Sequence, residues 1–111
     1  PHSLIGFNRG QLSTNLSLEI FQLLLQQNAQ IRISGCSTID MLLVSAHSLV
    51  AGWCEASNSN SEQAAGLILK ESGALIGSER GNPNLSDATE LFFGAPKIFK
   101  KLIKLRQTIN L

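Results

Sequence analysis

Short segments of β-strand composition alternate with segments of helical periodicity along the whole chain, and no other feature restricts the fold as tightly. Ser3 to Phe7 is short and apolar, and the Asn8-Arg9-Gly10 that follows is a turn signal. From Asn15 to Ala29, Leu16, Ile20, Phe21, Leu23 and Leu24 recur at helical spacing, with Glu19 expected in the first turn, where it suits the helix dipole. Gln30 to Ile33 alternates polar and apolar, as a strand does. Ser37 stands three residues before Asp40 in a variant of the capping box, and Ile39, Leu42, Leu43 and Ala46 predict the buried stripe of a second helix.

Beyond a turn at His47-Ser48, Leu49 to Glu55 reads as a strand that ends in the polar loop Ser57-Asn58-Ser59-Asn60. Ser59 and Glu62 form a second capping box, and Ala65, Ile68 and Leu69 give a helix closed by Gly73 at its C′ position. A short strand over Ala74 to Gly77, a loop over Ser78 to Asp87 and a strand over Thr89 to Phe93 follow. Pro96 then opens a last helix with Ile98, Phe99, Leu102 and Ile103 on its apolar stripe. The pattern predicts one layered α/β domain over residues 1–111, with a mixed or mostly parallel sheet of about five strands covered by helices. Pro1 stands directly before a strand, which implies either that an upstream segment has been removed or that numbering begins at the first ordered residue.

Charge says little about partners. The net charge is +1, too small a field to draw the chain to nucleic acid or anionic lipid. Lys97, Lys100, Lys101, Lys104 and Arg106 make a basic face on the last helix, which reads as its solvated side. The apolar run through Leu42 to Val44 is far short of the ~20 residues that a membrane helix needs. Two cysteines, Cys36 and Cys54, sit in no spaced framework. A reduced, soluble, cytoplasmic protein is the expectation.

Carboxylates at element ends are the candidate chemistry. Glu55 and Glu62 flank the polar loop seven positions apart and are able to converge, although Glu62 is also what a capping box requires at that position. Gly35-Cys36-Ser37, between a strand and a helix, is the kind of turn whose backbone N–H groups cradle an anion, and also the kind that merely joins two elements. Cys36 and His47 lie at opposite ends of one predicted helix, roughly 15 Å apart at 1.5 Å per residue, so they form no dyad. The histidines and cysteines lack zinc spacing.

Taken together and in order, Gly35-Cys36-Ser37-Thr38-Ile39-Asp40, Glu55, Ser61-Glu62-Gln63-Ala64-Ala65-Gly66 and Glu71-Ser72-Gly73 resemble the C-terminal domain of the inositol monophosphatase family of metal-dependent sugar phosphatases. The likeness runs from the first strand to the last helix. It implies that Glu62 holds the place of an aspartate that ligates Mg2+. Glu55 would accept substrate hydroxyls, and Gly35, Cys36 and Ser37 would contact the substrate. A hard cation bound by carboxylate oxygens polarises a phosphoryl group, and acceptors at fixed positions orient a polyol.

The sequence departs from that pattern in two ways. Ser61-Glu62 replaces Trp-Asp, and no Asp-Pro-x-Asp-Gly-Thr metal loop occurs in these residues. The resemblance therefore implies the C-terminal domain of a phosphomonoesterase, inactive alone, whose partners are a missing N-terminal domain and a small phosphorylated polyol or sugar. A homodimer is left open. The rival expectation is a degenerate, non-catalytic relative that serves as a binding or oligomerisation module, and a third is an α/β domain whose likeness is accidental.

Overall fold

The computed structural model of the protein describes residues 4–8, 14–56, 59–83, 85 and 88–109. Five strands and four helices alternate, from β1 (Leu4–Asn8), α1 (Thr14–Gln26), β2 (Gln30–Arg32), α2 (Ser37–Ser45) and β3 (Ala51–Glu55) to α3 (Asn60–Glu71), β4 (Leu75–Gly77), β5 (Glu90–Gly94) and α4 (Pro96–Arg106). The strands form one mixed sheet in the order β2-β1-β3-β5-β4. β1 pairs parallel with both β2 and β3, whereas β5 runs antiparallel to β3 and β4. The expected α/β class and five-stranded mixed sheet are what the structure has.

Two apolar clusters lie on the two sides of this sheet. Ile5, Phe7, Ala51, Trp53 and Phe92 meet Ile20 and Leu24 of α1 and Phe99, Leu102 and Ile103 of α4. Cys54, Leu91 and Phe93 meet Met41 and Val44 of α2 and Ala65 and Leu69 of α3. Strand residues alternate between the clusters because successive side chains point to opposite faces. Every residue of β3 and β5 is buried, as expected of central strands covered on both sides.

Several local readings hold. Ser59 caps α3 by accepting a hydrogen bond from the Glu62 N–H at 3.1 Å. Gly73 follows that helix at φ +94°, and Pro96 occupies the first turn of α4. His47 turns the chain after α2 at φ +64°.

Others fail. Glu19 is not in the first turn of α1, which begins at Thr14. The N-cap of α2 is Cys36, which makes no side-chain cap bond, so Ser37 and Asp40 form no capping box. Of the predicted stripe of α2, only Leu43 packs against the core. Ile39 is 48% and Leu42 41% exposed and Ala46 is exposed, while Asp40, Met41 and Val44 are buried. On α3, Ile68 is exposed and Ala65 and Leu69 alone of its expected stripe face the core. The turn residues Arg9 and Gly10, the side chain of Leu16, and Ser57 and Asn58 lie outside the described residues.

Arg106 corrects the reading of α4. Lys97, Lys100, Lys101 and Lys104 are exposed, but Arg106 is buried and forks onto Glu90. Its Nε donates to Oε1 at 2.9 Å and its second terminal nitrogen donates to Oε2 at 2.8 Å. The Trp53 indole N–H adds a third donor to Oε1 at 3.0 Å. The guanidinium is held above its ordinary range, first by the hydrogen bonds it donates to Glu90, against the opposing effect of burial. Glu90 is 1% exposed, so its charge exists in the core because Arg106 accompanies it.

Truncating Arg106 to alanine strands the Glu90 carboxylate and is expected to cost about 3–5 kcal/mol. Urea unfolding followed by the fluorescence of Trp53, the one tryptophan, reads the loss as a lower midpoint at unchanged slope. Removing both charges together, with Glu90→Gln and Arg106→Met, is expected to cost less than Arg106→Ala alone. A loss below about 1 kcal/mol for Arg106→Ala, the range of exposed pairs, would show that water reaches the carboxylate.

Candidate functional site

The chain reverses its direction of growth across the sheet between β1 and β3. From β1 it steps outward to β2 and then returns past β1 to β3, with α1 on one face and α2 on the other. In open α/β sheets, the crevice beyond the carboxyl ends of the strands at such a reversal is where ligands bind. Asn8 and Cys54, side by side in the parallel register, mark that end here. The amino end of α2, at Ser37, and that of α3, at Asn60, begin beyond it.

The sequence-predicted residues gather around this end, but not in one arrangement. Gly35 stands at φ +80°, a left-handed conformation that disfavours any side chain. Cys36 is half-buried and extended at φ −145°. Ser37 opens α2 and hydrogen-bonds Cys54. Glu62 is buried on α3, close enough to charge the surroundings of the Cys54 thiol. Glu55 is buried too, but it is paired in register with Glu90, on the face of the sheet that carries α1 and α4. Glu55 and Glu62 thus reach the carboxyl end of β3 from opposite faces.

Three polar residues to which the sequence assigns no site role, Asp40, Asn8 and Ser34, hold the turn together. Asp40 is fully buried and accepts hydrogen bonds from the Asn8 amide and, at 2.9 Å, from the Ser34 hydroxyl. Asn8 in turn accepts from the Gly35 N–H at 2.8 Å, and Ser34 Oγ accepts from the Cys36 N–H at 3.1 Å. The first two N–H groups of the turn therefore point into the protein, which weighs against reading it as an anion cradle. A signal was present in the sequence. Asp40 is the one charged residue in the nine of α2, and an isolated charge in an apolar helix needs a buried partner.

Burial sets the electrostatics. It lifts the Asp40 carboxyl above its ordinary range, while the hydrogen bonds from Ser34 and Asn8 and the positive charge of Arg32 pull it back. The Cys54 thiol is pushed up to about 12 by burial first and by the charge of Glu62 second. The hydrogen bond from Ser37 opposes the rise, and Asp40 and Glu55 add to it. Cys54 is therefore a neutral, inert thiol at physiological pH.

Among the described residues, no group of three or more His, Cys, Asp or Glu side chains could hold a metal ion. A hard divalent cation needs several oxygen donors together, so among the described residues Glu62 is not joined by enough such ligands to make a magnesium site. An apolar cavity of about 240 Å3, lined in part by Val44, His47, Leu49, Val50 and Ile98, lies at the other end of the sheet, away from these groups.

No family model matches the sequence, and no curated protein matches it. Solved structures match closely in shape. The extragenic suppressor protein SuhB from Bartonella henselae superposes with a TM-score of 0.86 at 18% identity, over 95% of this chain and 41% of its own. The fold is that of the C-terminal half of an inositol monophosphatase. The inositol monophosphatase of Anabaena (Nostoc) sp. PCC 7120 matches at TM-score 0.79 and 16% identity, over 96% of this chain and 44% of its own. SaIMPase-II with inositol monophosphate bound matches at 0.75 and 17%, over 93% and 41%. The chain spans about two fifths of the length of these structures, so the inositol monophosphatase fold is represented here in part.

The thiol chemistry gives a direct check. At pH 8, iodoacetamide is expected to modify the half-buried Cys36 and to leave Cys54 unmodified until the protein unfolds, as read by peptide mass. The folded state holds the Cys54 proton more tightly than the unfolded state. Stability is therefore complete below pH 9.0 and is lost as pH rises from there toward about 12. Because the chain has no tyrosine, Cys54→Ser is expected to flatten this alkaline decline in urea midpoints, whereas Cys36→Ser serves as the comparison.

Proposed function

We propose that this chain is the substrate-side portion of a magnesium-dependent phosphomonoesterase of the inositol monophosphatase type. The observation that carries the reading is that the Gly35-Cys36-Ser37 turn, Glu55 and Glu62 all lie near the carboxyl ends of the strands where the chain reverses between β1 and β3, Glu55 on one face and Glu62 on the other. Glu55 accepts hydroxyl groups of the substrate, Gly35, Cys36 and Ser37 form the wall against which it lies, and Glu62 takes the place of a metal-binding carboxylate. The substrate is a small phosphorylated polyol or sugar, a class supported by the inositol monophosphate bound to SaIMPase-II. The whole protein uses Mg2+, for which the described residues of this chain do not by themselves assemble a site.

The remainder of a longer protein is the principal partner. The outward face of α2 carries Ile39, Leu42 and Ala46 and no charge, and Leu67 and Ile68 are exposed on the adjacent α3. Large side chains left in water at such a density suit a covering polypeptide. Basic α4, on the other layer, has the lysine-rich surface of a helix that faces solvent. No helix among the described residues is long and apolar enough to cross a membrane. The two unlinked cysteines accord with a cytoplasmic setting.

A second reading, a non-catalytic binding or oligomerisation module, draws support from the incomplete set of metal-ligating side chains among the described residues and from the internally bonded turn. Turnover separates the two. The full-length protein is expected to hydrolyse inositol monophosphate only with magnesium, and Glu55→Gln to lower kcat/KM about ten- to a hundredfold, the worth of one charge-assisted hydrogen bond. Absence of magnesium-dependent turnover, with no restoration by Glu62→Asp, would establish the module instead.

A further inference from the structure

The geometry points to Asp40, acting through Asn8 and Ser34, as the positioning residue that fixes the Gly35-Cys36-Ser37 turn for ligand contact. This inference rests on the proposed role of that turn. Asp40 contributes no surface of its own, being fully buried beneath the turn. It offers two acceptor oxygens, and each takes one donor. Oδ2 takes the Asn8 amide N–H and Oδ1 the Ser34 hydroxyl. An amide that gives its nitrogen to Asp40 has only its oxygen left for the turn, and that oxygen accepts the Gly35 N–H. A hydroxyl that gives its proton to Asp40 has lone pairs left for the Cys36 N–H. One carboxylate thus dictates the orientation of two side chains, and those two side chains dictate the orientation of two successive peptide groups.

The sequence around Asp40 is shaped for this purpose. Gly6, on the strand beneath, leaves the space that the carboxylate occupies, since a Cβ there would overlap it. Gly35 reaches the left-handed conformation that brings its N–H round to Asn8. Three elements are joined by the network: β1 through Asn8, the segment after β2 through Ser34, and α2 through Asp40. Such a network is suited to holding a contact surface in place within a fraction of an ångström.

A buried charge held only for packing would behave differently from one that positions the turn. Asp40→Leu replaces the carboxylate by an apolar group of similar size. Asp40→Asn keeps both bonds by giving its oxygen to Asn8 and its amide nitrogen to Ser34. In the full-length protein, Asp40→Leu is expected to speed hydrogen exchange at the Gly35 and Cys36 amides about tenfold or more, the worth of one hydrogen bond. The Trp53 and Phe92 amides are expected to stay at the wild-type rate. It should also raise KM for inositol monophosphate more than it lowers kcat, and Asp40→Asn should restore both readouts.

Unchanged exchange at Gly35 in Asp40→Leu, or altered exchange with unchanged KM, would overturn the assignment. If Asp40→Leu does not fold, Asn8→Asp takes its place. That variant sets two carboxylates against each other, and adding Asp40→Asn re-creates every bond. Failure of that second change to restore Gly35 protection would equally overturn the inference. Absence of turnover in the wild-type protein would defeat the phosphatase reading itself, and amide exchange would still decide whether Asp40 fixes the turn.

Discussion

The parallel pairing of β1 with β3 is the constraint from which the rest of the architecture follows. Because two parallel neighbours cannot be joined by a hairpin, the chain must cross over twice, out to β2 and back, and each crossing deposits a helix on a different face. Those helices close the two apolar clusters. The same reversal leaves the carboxyl ends of two adjacent strands without a connection running over them, and every candidate functional residue stands near that end. Site and fold are consequences of one pairing.

The chain buries carboxylates in two ways, and the difference sorts structure from proposed function. Glu90 is matched by a cation, with Arg106 forking onto both oxygens and Trp53 adding a third donor. Nothing about that arrangement is open to a ligand. Asp40 is met by an amide and a hydroxyl, neutral donors that stabilise the charged form less than a guanidinium does. Burial lifts its carboxyl above the ordinary range, and these donors offset the rise only in part. A charge tolerated on those terms in a single helix is more costly than apolar packing would be, and its partners all serve the turn above it.

Much of the fold is legible in the residues, because periodicity and turn chemistry are local properties. The Ser59 cap, Gly73 after α3 and Pro96 at the start of α4 each follow from one side chain acting on its own backbone. What could not be read depends on neighbours distant in sequence. Ile39 and Leu42 look like a core stripe, but the face turned inward is the one that delivers Asp40 to Asn8, 32 positions away. Arg106 looks like one more lysine-like residue on a wet face until Glu90 is set beside it. The candidate residues stand out as an ordered set rather than singly. Their separation onto two faces of the sheet was not legible, since it follows from the register of β3 against β5.

The tie between Glu90 and Arg106 also bears on how the chain is made. Glu90 leaves the ribosome before its partner, and β5 has no means of burying that carboxylate as a charged group until α4 has followed it out. β5 is the strand that joins β4 to β3, so the joining of the sheet depends on a strand whose buried charge is matched from α4. Without β5, the parallel neighbours β2, β1 and β3 would have the hydrogen-bonding edge of β3 left open.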